Sequence, residues 1–218
     1  MKVSIWLLTP PSLHVQLNTQ IAFLAEKCHG PKFDSHVTLF GGLRCESKEE
    51  LDRMCHMLKC HLEDRYAEGI PCRFVRSSTT NEANIVSCYH TNAITGEQRV
   101  QWNQACVSIM EPHDNPEYMK LRRSVLDVLL SDTTHMSSSA TQLTPDDFPP
   151  PVRKPHYSYF YGTKAPSNDT LSEISGVPDF SSTQIAIWYT DPPTVDGVVQ
   201  WYEVMKINLC STTDAMDN

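Results

Sequence analysis

His36-Val37-Thr38-Leu39-Phe40-Gly41-Gly42 and His156-Tyr157-Ser158-Tyr159-Phe160-Tyr161-Gly162 lie 120 residues apart and carry a histidine, a hydroxyl, a phenylalanine and a glycine at the same offsets. Both stretches read as strands, the first alternating polar and apolar side chains from Ser35 until Gly41-Gly42. Side chains two apart on a strand point to one face. His36 with Thr38, and His156 with Ser158, therefore each present an imidazole and a hydroxyl together. A third copy, His135-Met136-Ser137, sits in a serine-rich stretch with no strand pattern and is set aside.

An α/β segment surrounds each copy. Upstream of the first, Val3 to Leu8 reads as a buried strand. Ser12 is placed to cap a helix carrying Leu17, Ile21, Leu24 and Cys28 on one face, stopped by Gly30-Pro31. Downstream, Ser47 with Glu50 makes a capping box for a helix with Leu51, Met54, Leu58 and Leu62, ending near Gly69 and Pro71. Cys72 to Arg76, Ile85 to Tyr89 and Val100 to Met110 read as a meander, with a turn at Ile94-Thr95-Gly96-Glu97. Pro116 opens a third helix through Leu121, Val125, Val128 and Leu129 to about residue 130. Residues 131–151 have no apolar periodicity and are expected to form a mobile loop beside the site. A short helix or turn at 167–176 and closing strands at 184–190 and 201–209 follow. The expectation is one bilobal α+β domain over 1–210, two similar lobes each with a mainly antiparallel sheet and flanking helices, and an active-site cleft between them. The tail 211–218 is expected to be disordered.

The chain has 218 residues, of which 40% are hydrophobic, enough for one sizeable core. Its formal net charge of −8 works against long nucleic acids, which attract basic faces. A small anion can still be held by local donors. The apolar run Val3 to Leu8 ends at Pro10-Pro11 without a cleavage pattern, and no stretch approaches the roughly 18 apolar residues of a membrane span. These features point to a cytoplasmic monomer without membrane contact. Eight cysteines, at 28, 45, 55, 60, 72, 88, 106 and 210, are scattered and lack a C-x-x-C, so reduced thiols are expected.

Two imidazole–hydroxyl pairs facing one another would form a cradle for a phosphodiester. Opening a cyclic phosphodiester needs one group to take a proton from water and another to give one to the departing ribose oxygen. Imidazole suits both tasks near neutral pH. The hydroxyls would hold non-bridging oxygens, and no metal or cofactor is required. From the residues alone, a second reading stands beside this one: two hydrogen-bonded histidines in buried strands.

The sequence resembles the cyclic phosphodiesterase family of the two-histidine phosphoesterase superfamily. The resemblance rests on Ser4-Ile5-Trp6-Leu7-Leu8, Phe33-x-x-His36-x-Thr38-Leu39, Cys106-Val107, His156-x-Ser158-x-x-Tyr161-Gly162 and Trp201-Tyr202-x-Val204, in order along nearly the whole chain. It implies hydrolysis of 2′,3′-cyclic nucleotides to nucleoside 2′-phosphates and of ADP-ribose 1″,2″-cyclic phosphate to the 1″-phosphate, small molecules related to RNA and tRNA-splicing metabolism. By position, His156 would activate the water and His36 would protonate the leaving oxygen, while Thr38 and Ser158 hold phosphate oxygens. Trp6 and Tyr161 match positions near the substrate, although simple alternation puts Tyr161 on the face opposite His156 unless the strand ends or bulges first. Asp34-Ser35 departs from the family, which commonly has a proline before the first histidine. The alternatives are a 3′-end RNA exonuclease or 2′,5′-phosphodiesterase using the same four residues, and a nucleotide-binding sensor or anchoring module that does not turn over.

His56 and Cys60 share a helix face four residues apart, but no second cluster supplies further ligands, so no metal site is expected. Arg153-Lys154 could draw in a phosphate, though a basic loop pair is more often solvated. Tyr157 and Tyr159 read as core, as do Trp188, Tyr189, Trp201 and Tyr202.

Overall fold

A computed structural model describes residues 1–75, 84–91, 98–131, 154–162 and 164–211, with 84–91 and 98–106 as backbone only. The turn at 94–97, the stretch expected as a loop beyond Ser131, the third motif copy at His135, Arg153 and the tail from 212 lie outside the described residues.

The chain adopts the expected α+β architecture. Its elements are β1 (Lys2–Leu8), α1 (Pro11–Cys28), β2 (His36–Arg44), α2 (Lys48–Leu62), β3 (Ile70–Cys72), β4 (Asn84–Thr91), β5 (Gln98–Ile109), α3 (Pro116–Ser131), β6 (His156–Gly162), α4 (Asn168–Ser172), β7 (Phe180–Ser182), β8 (Gln184–Tyr189) and β9 (Tyr202–Asn208). The main sheet runs β4-β5-β6-β2-β1-β8-β9, with every neighbouring pair antiparallel. Each half carries one motif strand, β6 in β4-β5-β6 and β2 in β2-β1-β8-β9. The halves meet along a seam at the single pair Val37↔Tyr157, so the two motif strands lie side by side.

Local chemistry sets the helix ends. The Ser47 side chain accepts from the Glu50 N–H at 3.2 Å, as the capping box requires, while the Glu50 carboxylate reaches back to the Glu46 N–H at 2.7 Å, one residue earlier than expected. Ser12 is not a cap: α1 begins at Pro11, whose missing N–H costs nothing in a first turn. It ends with His29 in the left-handed region at φ 56°. Gly30 follows, donating its N–H to the Ala25 carbonyl at 2.9 Å.

The expected meander is a β4–β5 pair continued by β6, and the first of its three expected runs, at Cys72, is divided from it. β3 leaves the main sheet to pair with β7, a three-residue strand too short to give a pattern in the sequence. The second departure is at Gly41-Gly42, where β2 continues instead of stopping. Pairing moves from Ile5↔Phe40 to Val3↔Leu43, which leaves one extra residue on β2 at the glycines, and Gly42 has φ 71°. This is a bulge that only a residue at ease with positive φ accommodates.

One face of the motif strands is core: Val37, Leu39 and Tyr157 are fully buried and Tyr159 nearly so, packed with Leu17, Ile21 and Leu24 of α1 and with the apolar faces of α2 and α3. α3 also braces β2 directly. The Tyr118 hydroxyl donates to the Thr38 carbonyl at 2.7 Å, and the buried Arg122 guanidinium sits 4.0 Å over the Phe40 ring.

Two glycine substitutions should separate conformational strain from steric strain. A Cβ at Gly42 meets nothing within 4 Å, whereas one at Gly30 would stand 2.5 Å from both the Phe160 ring and the Tyr161 carbonyl. Gly42→Ala is expected to cost about 1 kcal/mol through its φ alone, and Gly30→Ala more, about 1–3 kcal/mol, because backbone beside the site must shift. Urea midpoints of the two variants check this ordering, which an equal loss would contradict.

Candidate active site

The seam brings the two motif histidines together. With Val37 opposite Tyr157 on antiparallel strands, one step either way sets His36 towards Ser158 and Thr38 towards His156. Each imidazole thus has its own hydroxyl two residues along and the other strand's hydroxyl across the seam. The two rings are close enough that charge on His156 lowers the proton affinity of His36.

Both histidines are oriented in the same way. His36 Nδ1 lies 2.6 Å from the Asp34 carbonyl, and His156 Nδ1 lies 3.0 Å from the Lys154 carbonyl, each two residues earlier. A carbonyl can only accept, so Nδ1 carries the proton in both, and in each neutral ring Nε2 keeps its lone pair. The internal echo in the sequence therefore extends to the orienting hydrogen bond. The Thr38 and Ser158 side chains have no hydrogen-bond partner among the described residues, which leaves both hydroxyls available to a ligand.

A second layer holds the Asp34-Ser35 segment. Asn18 Oδ1 accepts from the Ser35 N–H at 2.8 Å, and Asn18 Nδ2 donates to Asp34 Oδ1 at 3.3 Å. Ser35 Oγ pairs with Thr9 Oγ1 at 2.6 Å, and His14 Nδ1 lies 3.3 Å from both hydroxyls. A side-chain clamp thus holds the segment whose Asp34 carbonyl orients His36. His14 and Asn18 escaped sequence reasoning because they lie on α1, and the only available signal was their i, i+4 spacing on one helix face.

Aromatic rings complete the site. Trp6 stacks on His36 with centroids 3.6 Å apart and planes at 5°, and Trp188 stacks on Trp6 at 4.5 Å. Phe33 links Tyr161 to His36, with centroids 4.6 Å and 6.0 Å away. Tyr161 reaches this side because β6 bulges. Val107 pairs with Ser158 but Cys106 with Phe160, so one residue of β6 is extra and the alternation slips. Phe160 then joins Tyr159 in the core, while Tyr161 packs beside Val107, on the face of Ser158.

Several assignments change. Trp188 and Trp201 are half-buried cavity-lining rings, and Tyr189 stacks on the exposed Tyr202 at 5.0 Å, so none of the four is sheet core. Tyr157 and Tyr159 are core as expected. Lys154 is engaged by the Glu111 carboxylate at 2.5 Å instead of facing a ligand. Cys60 Sγ lies 3.6 Å from His56 Nε2 on an exposed face of α2, and no group of three or more metal-ligating side chains occurs among the described residues. The six cysteines described with side chains are free thiols. No described helix is long and apolar enough to cross a membrane.

Electrostatics divide the pair. His36 is almost fully buried, and desolvation of its charged form lowers its pKa to about 3, against the smaller raising effect of the Asp34 carbonyl. His156 is only partly buried and is also lowered by desolvation. A positive charge on His156 lowers His36 further.

The chain matches no family profile and no curated protein. Among solved structures it is similar to TT0787 of Thermus thermophilus, at 15% identity over 97% of this chain and 100% of that one, with a TM-score of 0.52. It is also similar to Escherichia coli LigT complexed with 3′-AMP, at 11% identity over 96% and 98%, with a TM-score of 0.48. The likeness to TT0787 shows that the whole described architecture is one found in nature: an α+β fold with a mainly antiparallel sheet.

Burial of His36 has a consequence for stability. Its folded pKa lies below the value of roughly 6.5 for an unfolded chain, so between the two the unfolded state binds more protons. Stability is fully present above about pH 6.5 and is lost as pH falls towards 3. His36→Asn, which keeps a donor near the Asp34 carbonyl, should flatten this dependence. Thermal midpoints from pH 7 to pH 4 check it, and parallel curves for the two proteins would contradict it.

Proposed function

We propose that this protein is a two-histidine phosphoesterase that hydrolyses small cyclic phosphodiesters: 2′,3′-cyclic nucleotides to nucleoside 2′-phosphates, and ADP-ribose 1″,2″-cyclic phosphate to the 1″-phosphate. The observation that carries the reading is the seam geometry, with two identically oriented imidazoles and two unengaged hydroxyls converging on one place. A merely structural pair of histidines would have no need of matching orientation, hydroxyls without partners, or an aromatic surround.

In this mechanism the Thr38 and Ser158 hydroxyls donate to the non-bridging phosphate oxygens. One imidazole Nε2 removes a proton from water as its oxygen attacks phosphorus. The ring's P–O bond breaks, and the other imidazolium gives its proton to the released ribose oxygen. The bound phosphodiester anion raises both histidine pKa values from their resting positions, which brings the acid into a useful range. The deeper burial of His36 favours it, held neutral, as the base, and leaves the less buried His156 as the acid. That is the reverse of the division the resemblance implies.

Hydrolysis of 2′,3′-cyclic AMP, with 2′-AMP resolved from 3′-AMP, tests the reaction. The wild type is expected to yield 2′-AMP and to remain active in EDTA, and His36→Ala and His156→Ala are each expected to lose about 10²- to 10⁴-fold in kcat. Binding without turnover would indicate a nucleotide sensor instead. A p-nitrophenyl phosphodiester, whose leaving group needs no proton, then separates the roles. His156→Ala should recover most of its rate on that substrate and His36→Ala should not, while the opposite pattern would restore the family division.

A further inference from the structure

The two motifs orient their histidines by carbonyls at the same offset, yet the peptide groups that bear those carbonyls differ. Lys154 is followed by Pro155, so the amide that orients His156 has no N–H and is stiffened by the proline ring. Asp34 is followed by Ser35, a fully buried residue, so the amide that orients His36 has an N–H that needs an acceptor. Asn18 provides it. The Ser35 N–H donates to Asn18 Oδ1 at 2.8 Å, and at the other end of the same peptide group the Asp34 carbonyl accepts from His36 Nδ1 at 2.6 Å. One planar unit therefore links the Asn18 amide to the imidazole, and rotating it would break both bonds at once.

The direction of each bond in this chain is fixed. With Oδ1 taken by the Ser35 N–H, the two hydrogens of Asn18 Nδ2 reach Asp34 Oδ1 at 3.3 Å and His14 Nε2 at 3.0 Å. A flipped amide would set its NH2 against the Ser35 N–H and its oxygen against the Asp34 carboxylate, so one orientation alone fits. His14 Nε2, as an acceptor, leaves the ring proton on Nδ1, 3.3 Å from both Thr9 Oγ1 and Ser35 Oγ. Each link polarises the next. Donation from Nδ2 to a carboxylate makes Oδ1 a stronger acceptor, and a peptide held at its N–H presents a stronger acceptor at its carbonyl.

We propose that Asn18 is a positioning residue for His36: it holds the Asp34–Ser35 peptide so that the imidazole keeps its proton on Nδ1 and its lone pair on Nε2. Asn18 thereby does for the first motif what Pro155 does for the second. Its part in turnover rests on the phosphoesterase reading, since a base needs that lone pair, whereas its hold on the ring does not. His14 and the Asp34 carboxylate fix the amide itself. Without Asn18 the buried Ser35 N–H has lost its acceptor, the carbonyl is free to turn from the ring, and the Nε2–H form of His36 becomes accessible.

Two-bond 1H–15N spectra of the imidazoles in the full chain, at about pH 8, test it. The wild type should show His36 as the Nδ1–H tautomer. Asn18→Leu, which fills the space without an acceptor, should bring in the Nε2–H form at His36 while His156 stays as it was. Asn18→Ala, the gentler change at this half-buried position, should do the same in smaller degree. Leucine and alanine both favour helix over asparagine, so fraying of α1 does not explain such a change. Ser35→Ala, which removes the buried hydroxyl but keeps the N–H, is the control and should leave His36 unaltered. On 2′,3′-cyclic AMP, Asn18→Leu is expected to lose about 10- to 100-fold in kcat with little change in KM. An unaltered His36 tautomer in both Asn18 variants, a change shared by His156, or an equal change in Ser35→Ala would overturn the positioning role. A shifted tautomer with kcat undiminished would overturn its part in turnover. A tautomer change confined to His36, in a protein whose wild type turns over no cyclic phosphodiester, would leave the hold on the ring standing and overturn the phosphoesterase reading instead.

Discussion

The arrangement depends on one strand contact. β2 and β6 are paired only at Val37↔Tyr157, yet that contact converts two distant copies of a motif into one site. A slip of one residue would turn His36 and Thr38 away from His156 and Ser158, because side-chain direction alternates along each strand. The register is guarded from below. Val37 and Tyr157 are fully buried, so a slip would pull core residues into the site and put polar ones into the core. Tyr118 and Arg122 of α3 hold β2 from the same side, and the β5–β6 ladder holds the other motif strand.

Burial that fixes the register also sets the chemistry. A histidine enclosed between Trp6 and the core is held neutral, which in the resting protein opposes protonation and costs stability in acid. The same enclosure makes a bound phosphate anion count for more than it would in water. Orientation is supplied from behind, by backbone carbonyls two residues before each histidine and, for His36, by the Asn18 clamp on the segment that bears the carbonyl. These side chains touch no reacting atom, but they decide which nitrogen faces the substrate.

Much of this was legible in the sequence because period-two alternation and a repeated heptad carry direct geometric meaning. The strands at His36 and His156, helices α2 and α3 and the mainly antiparallel sheet follow from such patterns. What escaped came from irregularity and from long-range pairing. Gly41-Gly42 looked like a stop and is a bulge inside β2, because a glycine pair can end a strand or bend it, and the partner strand decides which. Tyr161 appeared to face the wrong way until the extra residue in β6 reset the alternation. Trp188 and Trp201 read as core since an indole at a strand position has the same composition whether it faces a helix or a cavity. β3 and β7 pair across more than a hundred residues, and nothing local to either announces the other.

The central claim is that His36 and His156 act on one phosphate as a pair. Imidazole NMR, following both rings through a pH titration with and without 2′-AMP, measures this directly. The account predicts that the nucleotide raises the pKa of both histidines, that Nδ1 stays protonated throughout, and that the changes in both rings saturate at the same ligand concentration. A shift confined to one histidine, or the two rings saturating at different concentrations, would contradict it.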